Sequence, residues 1–355
     1  MGKGARTSNP PSPRLQPHAP CPRASAPPRW DRAFAHPTIA LSVLGVALAS
    51  LAAPAQAQPA RYPNRTIEVV VAYGAGGSTD LVARTLAQKF QDRLGQSVVV
   101  LNKPGGSGTI GASLAARAAP DGYTLYVGYT SEVVVVPQVS KSVKYSIDDF
   151  EPIAVTGLVP LVLVTSKNMR ATSVAELIAE LRGAPGKFTY GGGVASPPHV
   201  MGAWFSRIND LNVVHVPYRG GAQAVADVIG GHIDLFFAGL AAAKAAIDSG
   251  SVKPLAVTGN TRSSALPNVP TFKEAGVKDF ELASWNVMLA PKGTPPDILA
   301  FLRQETAVAL NDPRVREILA AQGVEASSTQ DVRAFLAHER AAFGRAVRDL
   351  GITID

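Results

Sequence analysis

The residues best suited to chemistry lie between a short apolar run and an amphipathic one: Tyr73, Gly74, Ala75, Gly76, Gly77, Ser78, Thr79 and Asp80. Glycines leave backbone N–H groups unobstructed, and a helix beginning just behind them aims the positive end of its dipole at the same spot. That is an anion cradle in outline. Gly76, Gly77 and Ser78 are candidate donors, because amide and hydroxyl groups satisfy a carboxylate without adding a competing buried charge. Asp80 repels anions, so its better role is to cap the helix or to position Ser78. Tight strand-to-helix turns also use glycine for purely steric reasons, and the loop alone leaves both readings open.

Two similar loops recur. Asn102-Lys103-Pro104-Gly105-Gly106-Ser107-Gly108-Thr109 follows a second apolar run, with Ser107 or Thr109 able to cap a helix, and Gly191-Gly192-Gly193-Val194-Ala195-Ser196-Pro197-Pro198-His199 follows a later one. Arg219 is a cation in a strand-exit loop, suited either to a bidentate pair with a distal carboxylate or to a solvated rim. His199 has no second His, Cys or carboxylate at ligand spacing, so it is expected to be a structural hydrogen-bonder, with no metal site. Enzyme chemistries lack their parts. No serine stands in a G-x-S-x-G elbow, no H-E-x-x-H occurs, no lysine completes a P-loop, and Gly74-Ala75-Gly76 lacks the third glycine of a dinucleotide turn. Neither catalytic residues nor a cofactor are expected.

The elements that must hold these loops follow from periodicity. Ile67, Val69, Val70 and Val71 predict a buried strand, and Leu81, Val82, Leu86, Phe90 and Leu94 a helix, capped by Ser78, Thr79 or Asp80. Ser97–Leu101 and Tyr123–Gly128 predict further strands around a helix over Ile110–Ala119, and Tyr129-Thr130-Ser131 is the third strand's exit. Strands alternating with helices imply a parallel sheet, with ligands beyond the strands' carboxyl ends. Phe150–Ser166 predicts one strand that leaves the first lobe. A second α/β series follows, and Trp285–Ala290 predicts the strand that returns.

Length and composition agree with two lobes: 355 residues, 46% hydrophobic, exceed what one core usually serves. Residues 1–37 are rich in Pro, Ser, Ala and Arg, and the small-apolar run Thr38–Ala53 ends in Ala55-Gln56-Ala57. This predicts a secretory leader over 1–57, cleaved after Ala57, and a periplasmic protein. Removing its six basic and one acidic residues leaves 28 basic against 26 acidic, no footing for nucleic-acid binding. The only cysteine, Cys21, goes with the leader.

Taken in order, Gly74–Asp80, Asn102–Gly106, Pro120-Asp121-Gly122-Tyr123, Val216-Pro217-Tyr218-Arg219-Gly220, Leu266–Thr271 with Glu274-Ala275-Gly276, and Ala290–Pro295 resemble the Bug-type receptors. These are the extracytoplasmic solute-binding proteins of tripartite tricarboxylate transporters. The resemblance implies an α/β, two-lobe periplasmic-binding-protein (type II) fold with two inter-lobe crossings, residues 58–160 and 286–355 forming lobe 1 and 161–285 lobe 2. It implies a monomeric receptor that takes a small carboxylate and passes it to membrane permease subunits; the alternative is a ligand-sensing partner of a two-component signalling receptor. By the same resemblance one carboxylate is held by the loop of Tyr73, Gly76, Gly77, Ser78 and Asp80, by Ser107 and Thr109, and by Thr130 and Ser131. Ser196 and His199, with Tyr218, Arg219 and Gly220, close from the second lobe. Departures fall at Ala72, Ala75 and Val136, and at Pro197-Pro198, which stiffen a loop usually rich in Gly-Ser or Gly-Thr. With Tyr73, Tyr129, Trp204, Phe205 and Tyr218 in reach, an aromatic or apolar acid is expected over citrate.

Overall fold

The computed structural model describes residues 62–354 apart from Arg219 and Glu281. The expected leader, 1–57, with Cys21, lies outside the described residues.

The chain builds two five-stranded sheets in succession. It runs β1 (Ile67–Val71), α1 (Ser78–Leu94), β2 (Val98–Asn102), α2 (Thr109–Ala116), β3 (Thr124–Tyr129), a π-turn over Ser131–Val135, α3 (Val136–Val139) and β4 (Phe150–Leu158). The second series is β5 (Leu161–Thr165), α4 (Val174–Arg182), β6 (Thr189–Gly192), α5 (Pro197–Ile208), β7 (Val214–Pro217), α6 (Gly221–Gly230), β8 (Leu235–Gly239), α7 (Leu240–Asp248) and β9 (Lys253–Val257). Then β10 (Trp285–Pro291) precedes α8 (Pro296–Asn311), α9 (Pro313–Ala320) and α10 (Val332–Asp349). Strand order is β2-β1-β3-β10-β4 in the first sheet and β7-β6-β8-β5-β9 in the second.

Both sheets are mixed rather than parallel. β1 pairs in parallel with β2 and β3, but β10 runs antiparallel between β3 and β4, and β5 antiparallel between β8 and β9. The cause is connectivity: a strand that arrives from the other sheet enters from the cleft side and must run against its neighbours. For the same reason Phe150–Ser166 is two strands, broken at Val159-Pro160, one in each sheet.

Alternation along β1 shows why the strands read as unbroken apolar runs. Val70 joins one core with Tyr126, Val155 and Trp285, while Ile67, Val69 and Val71 join another with Leu86, Phe90 and Leu302. In β5, Leu161 and Leu163 face one core and Val162 and Val164 a third. A sheet covered on both faces has no polar side to show. α1 buries Val82, Ala83, Leu86, Ala87 and Phe90 on one stripe; complete burial of Leu86 or Phe90 contributes about 1.5–3 kcal/mol each. The crossings are tied together, since Val159 N–H donates to Ser284 O at 2.7 Å and Leu161 N–H to Thr258 Oγ1 at 3.0 Å.

Candidate functional site

Parallel pairing brings the carboxyl ends of β2, β1 and β3 to one edge, where their exit loops gather. The first loop is held from within. Asp80, 3% exposed, accepts from Gly76 N–H at 2.9 Å, Arg84 Nε at 2.9 Å and Asn102 Nδ2 at 2.8 Å, and Asn102 Nδ2 also reaches Tyr73 O at 3.0 Å. Burial alone would raise the Asp80 pKa, but the bonds from Arg84, Gly76 and Asn102 outweigh it and hold the carboxyl below its ordinary range. The Gly76 N–H is therefore spent inside the loop. α1 is capped by Gly77 with no side-chain bond, not by Ser78, Thr79 or Asp80. Ser78 is half-buried. At Gly77 a Cβ would meet nothing nearer than Gly74 O at 3.9 Å, so the fold itself does not require that glycine.

In the second loop Ser107 adopts φ +53°, and Thr109 is the first helical residue, its hydroxyl donating to Gly106 O at 2.8 Å. Neither side chain caps α2, whose N-cap is Gly108. In the third exit Thr130 is buried and committed to the sheet: Oγ1 accepts from Trp285 N–H at 2.8 Å and donates to Trp285 O at 3.2 Å. Ser131 reaches across. Its Oγ donates to Ala195 O at 3.2 Å, joining the exit of β3 to the exit of β6 in the other sheet.

On that far side Ala195 adopts φ +56° and donates its N–H to His199 Nδ1 at 3.1 Å. The His199 and His215 rings stack at 3.9 Å, and His215 Nε2 lies 2.8 Å from Gly192 O. Burial and the neighbouring His215 push His199 down to about 4. It is neutral near pH 7, an acceptor at Nδ1 and hence a donor at Nε2. Ser196 caps α5 in position only; its buried Oγ has no hydrogen-bond partner among the described residues. Pro197 and Pro198 do not stiffen a loop but form the first turn of α5, where a missing N–H costs nothing. Tyr218 spends its hydroxyl proton on Asp227 Oδ2 at 2.6 Å within its own lobe, and burial with Asp227 pushes it up to about 12. Gly220 is exposed at the cap of α6, and Arg219 lies outside the described residues.

Two further features went unread in the sequence. Glu132, fully buried, sits behind all three first-sheet loops. It accepts from Tyr73 Oη at 2.5 Å, Tyr126 Oη at 2.8 Å and the Tyr129 N–H at 2.6 Å, and a Cβ at Gly108 would come within 2.9 Å of its own Cβ. Burial pushes this carboxyl up to about 7 despite those donors. A lone acid between a strand exit and Val133–Val136 was the available signal. The other is Asn286 of β10, which donates to Thr79 Oγ1 at 2.9 Å and leaves a buried Oδ1 without a partner among the described residues. Nothing local in the sequence marks it.

The described cavities lie elsewhere: one of about 580 Å³ between β4, α8 and Ser327–Arg333, and one of about 410 Å³ against α10. Where the two sets of exit loops face each other they touch directly through Ser131 and Ala195.

Comparison with known proteins bears on the family and the fold. Residues 82–352 match the family described as the tripartite tricarboxylate transporter family receptor. Protein BugT of Bordetella pertussis is 36% identical over 318 residues, 88% of this chain and 97% of that protein. Among solved structures, the periplasmic binding protein BugD is 31% identical, with a TM-score of 0.70 over 82% of this chain and 99% of that one. A Rhodopseudomonas palustris protein solved with adipate is 33% identical, with a TM-score of 0.73 over 82% and 99%, and MatC of the same organism, solved with malate, is 27% identical, with a TM-score of 0.70 over 81% and 100%. With two mixed sheets, facing exit loops and this extent of match, the chain belongs to the tripartite tricarboxylate transporter receptor family.

Proposed function

We propose that this protein is a periplasmic receptor that closes its two lobes around a small carboxylate and delivers it to the permease subunits of a tripartite transporter. The observation that carries this is the Ser131 Oγ to Ala195 O bond, which sets the carboxyl-end loops of both sheets face to face. Backbone amides at Gly77 and Ser78, with the start of α2 at Thr109, supply positive dipole ends on one side. Ser196 Oγ and the His199 Nε2 proton offer neutral donors on the other. None of these groups brings a charge that a carboxylate would have to neutralise, which suits reversible capture better than catalysis. The relatives solved with adipate and malate are bound to acids of the same class, and that supports the choice of ligand here.

The test is a thermal-shift and calorimetric screen of the purified protein against mono-, di- and tricarboxylates, adipate and malate among them. A ligand at 100 times its Kd adds about 2.7 kcal/mol and raises Tm accordingly. Gly77→Val, which the fold has room for, abolishes the shift for every acid found. No shift with any carboxylate, or an unchanged shift in the variant, would count against the proposal.

A further inference from the structure

Tyr73 meets Glu132 through its only hydroxyl proton, and this fixes what Tyr73 can offer a ligand. Tyr73 lies at the exit of β1 with its ring edge-on to Tyr129 at 6.2 Å, its Oη 2.5 Å from Glu132 Oε2 and the Ser131 hydroxyl in hydrogen-bonding reach. Ser131 in turn bonds to Ala195 of the other sheet, so the Tyr73 oxygen lies one hydroxyl away from the contact between the two sets of exit loops. Burial and Glu132 hold the phenol's pKa well above its ordinary value, and Tyr73 always keeps one proton to give.

We propose that Glu132 and Tyr73 together form a proton-dependent selector for the charge of the ligand. While Glu132 is ionised, Tyr73 donates inward and presents only lone pairs to the cleft, above a buried negative charge; an anionic head group is disfavoured twice. When Glu132 takes a proton from solvent on Oε2, the bond reverses. Glu132 Oε2–H donates to Tyr73 Oη, the phenolic proton turns away from Glu132, and a ligand carboxylate that displaces the Ser131 hydroxyl accepts it. Glu132 Oε1 keeps its bonds from Tyr126 Oη and Tyr129 N–H in both states. Carboxylate capture is thus coupled to uptake of one proton.

Among the neighbouring groups Glu132 is the acid that bonds the Tyr73 hydroxyl. Facing its carboxyl are Tyr73 from the β1 exit and Tyr126 and Tyr129 from β3, while Tyr145 donates to its main-chain oxygen at 2.7 Å. α2 contributes no ionisable side chain. From α10, packed on the same turn, Glu339 is turned to Trp285 Nε1 and Arg340 to Asp148. Across the cleft His199 is already neutral far above its lowered pKa of about 4. Glu132 itself, pushed up to about 7 by burial, changes charge in the neutral range.

This selector rests on the receptor reading above, and calorimetry separates the two. Adipate and malate are titrated into the protein at about pH 6 and about pH 8, where carboxylates of pKa ~4–5 stay ionised. Kd rises about tenfold between the two, with net uptake of up to about one proton seen in buffers of different ionisation heat. In Glu132→Gln the amide nitrogen donates permanently to Tyr73 and its oxygen keeps the other two bonds, so affinity stays at the acid-side level at both pH values. Tyr73→Phe loses the pH slope and the acid-side affinity together. Equal Kd at both pH values in the native protein, no proton uptake, or an unchanged slope in Glu132→Gln overturns the selector while leaving the receptor standing. Failure of every carboxylate to bind overturns both.

Discussion

Asp80 sits in the first turn of α1, where a carboxylate would ordinarily be taken for a cap, yet its oxygens hold the loop in front of the helix and the end of the neighbouring strand. Asp80→Ala removes the acceptor of Gly76 N–H and of Arg84 Nε and one of the two acceptors of Asn102 Nδ2, leaving the Asn102 bonds to Tyr73 O and from Arg84 Nη2 in place. Losing hydrogen bonds to a charged group of this kind costs about 1.5–3 kcal/mol, read from the urea midpoint. Asp80→Asn retains part of the network and costs less. Equal stability of Asp80→Ala and the native protein would rule out the anchoring role. Glu132 makes a different prediction about pH. Its folded pKa of about 7 lies above the ordinary carboxyl value, so the fold prefers the protonated form. The stability it contributes is fully present below about pH 4.5 and is lost as pH rises through about 7, on the order of 3 kcal/mol in all. His199, depressed to about 4, acts in the opposite sense: its contribution is present above about pH 6.5 and is lost as pH falls toward 4. The difference between native protein and Glu132→Gln isolates the first effect: in urea titrations across this range the native protein loses stability relative to the variant as pH rises, while both keep the His199 slope. At this scale the sequence was legible for backbone chemistry and not for side-chain partnership. Gly77 and Ser196 stand in loops that announce themselves, whereas the partners of Glu132 at Tyr73 and of Asn286 at Thr79 lie 59 and 207 residues away.

Most elements were legible because each carries its own period, as in the apolar stripe of α1 and the β-branched run of β1. What failed was direction and continuity. β4 and β5 form one apolar run in the sequence, and only the pairing of β4 with β10 and of β5 with β8 separates them into two sheets. Antiparallel insertion of β10 is likewise invisible locally, since a strand buried on both faces looks the same in either direction. The joint is fastened by α10. Trp285, fully buried at the start of β10, donates Nε1 to Glu339 Oε2 at 2.8 Å, and burial raises the Glu339 pKa. Glu339→Ala leaves that indole N–H unpaired in the core, a loss of about 1–3 kcal/mol, whereas Glu339→Gln keeps an acceptor and stays near native stability. Chemical denaturation of the two variants distinguishes a tie through hydrogen bonding from mere packing of α10, which would lower both alike.

The whole molecule moves, on the proposed function, about two short connections: Val159-Pro160, and the chain entering β10 at Ser284. Their mutual bond from Val159 N–H to Ser284 O, with the Leu158–Glu325 backbone pair beside it, keeps the two crossings in step. A rotation there shears the core that the two sheets share and separates the Ser131–Ala195 pair. One side-chain bond between neutral groups contributes only about 0.5–1.5 kcal/mol, too little to hold the lobes shut alone. A ligand that bonds both loop sets adds the differential contacts that favour the closed form. Ile110 in the first turn of α2 and Val194 in the exit loop of β6 report on this directly, being 55% and 47% exposed. Cys21 is the only cysteine in the sequence, so Ile110→Cys and Val194→Cys combined with Cys21→Ser can be spin-labelled without background. The label-to-label distance is broad in the free protein and narrows to a single shorter population with saturating carboxylate. Ser131→Ala shifts the free protein further toward the long distances and leaves the liganded distance unchanged. An identical distribution with and without a ligand that demonstrably binds would exclude hinge closure, and the receptor would then have to capture its acid in a rigid cleft.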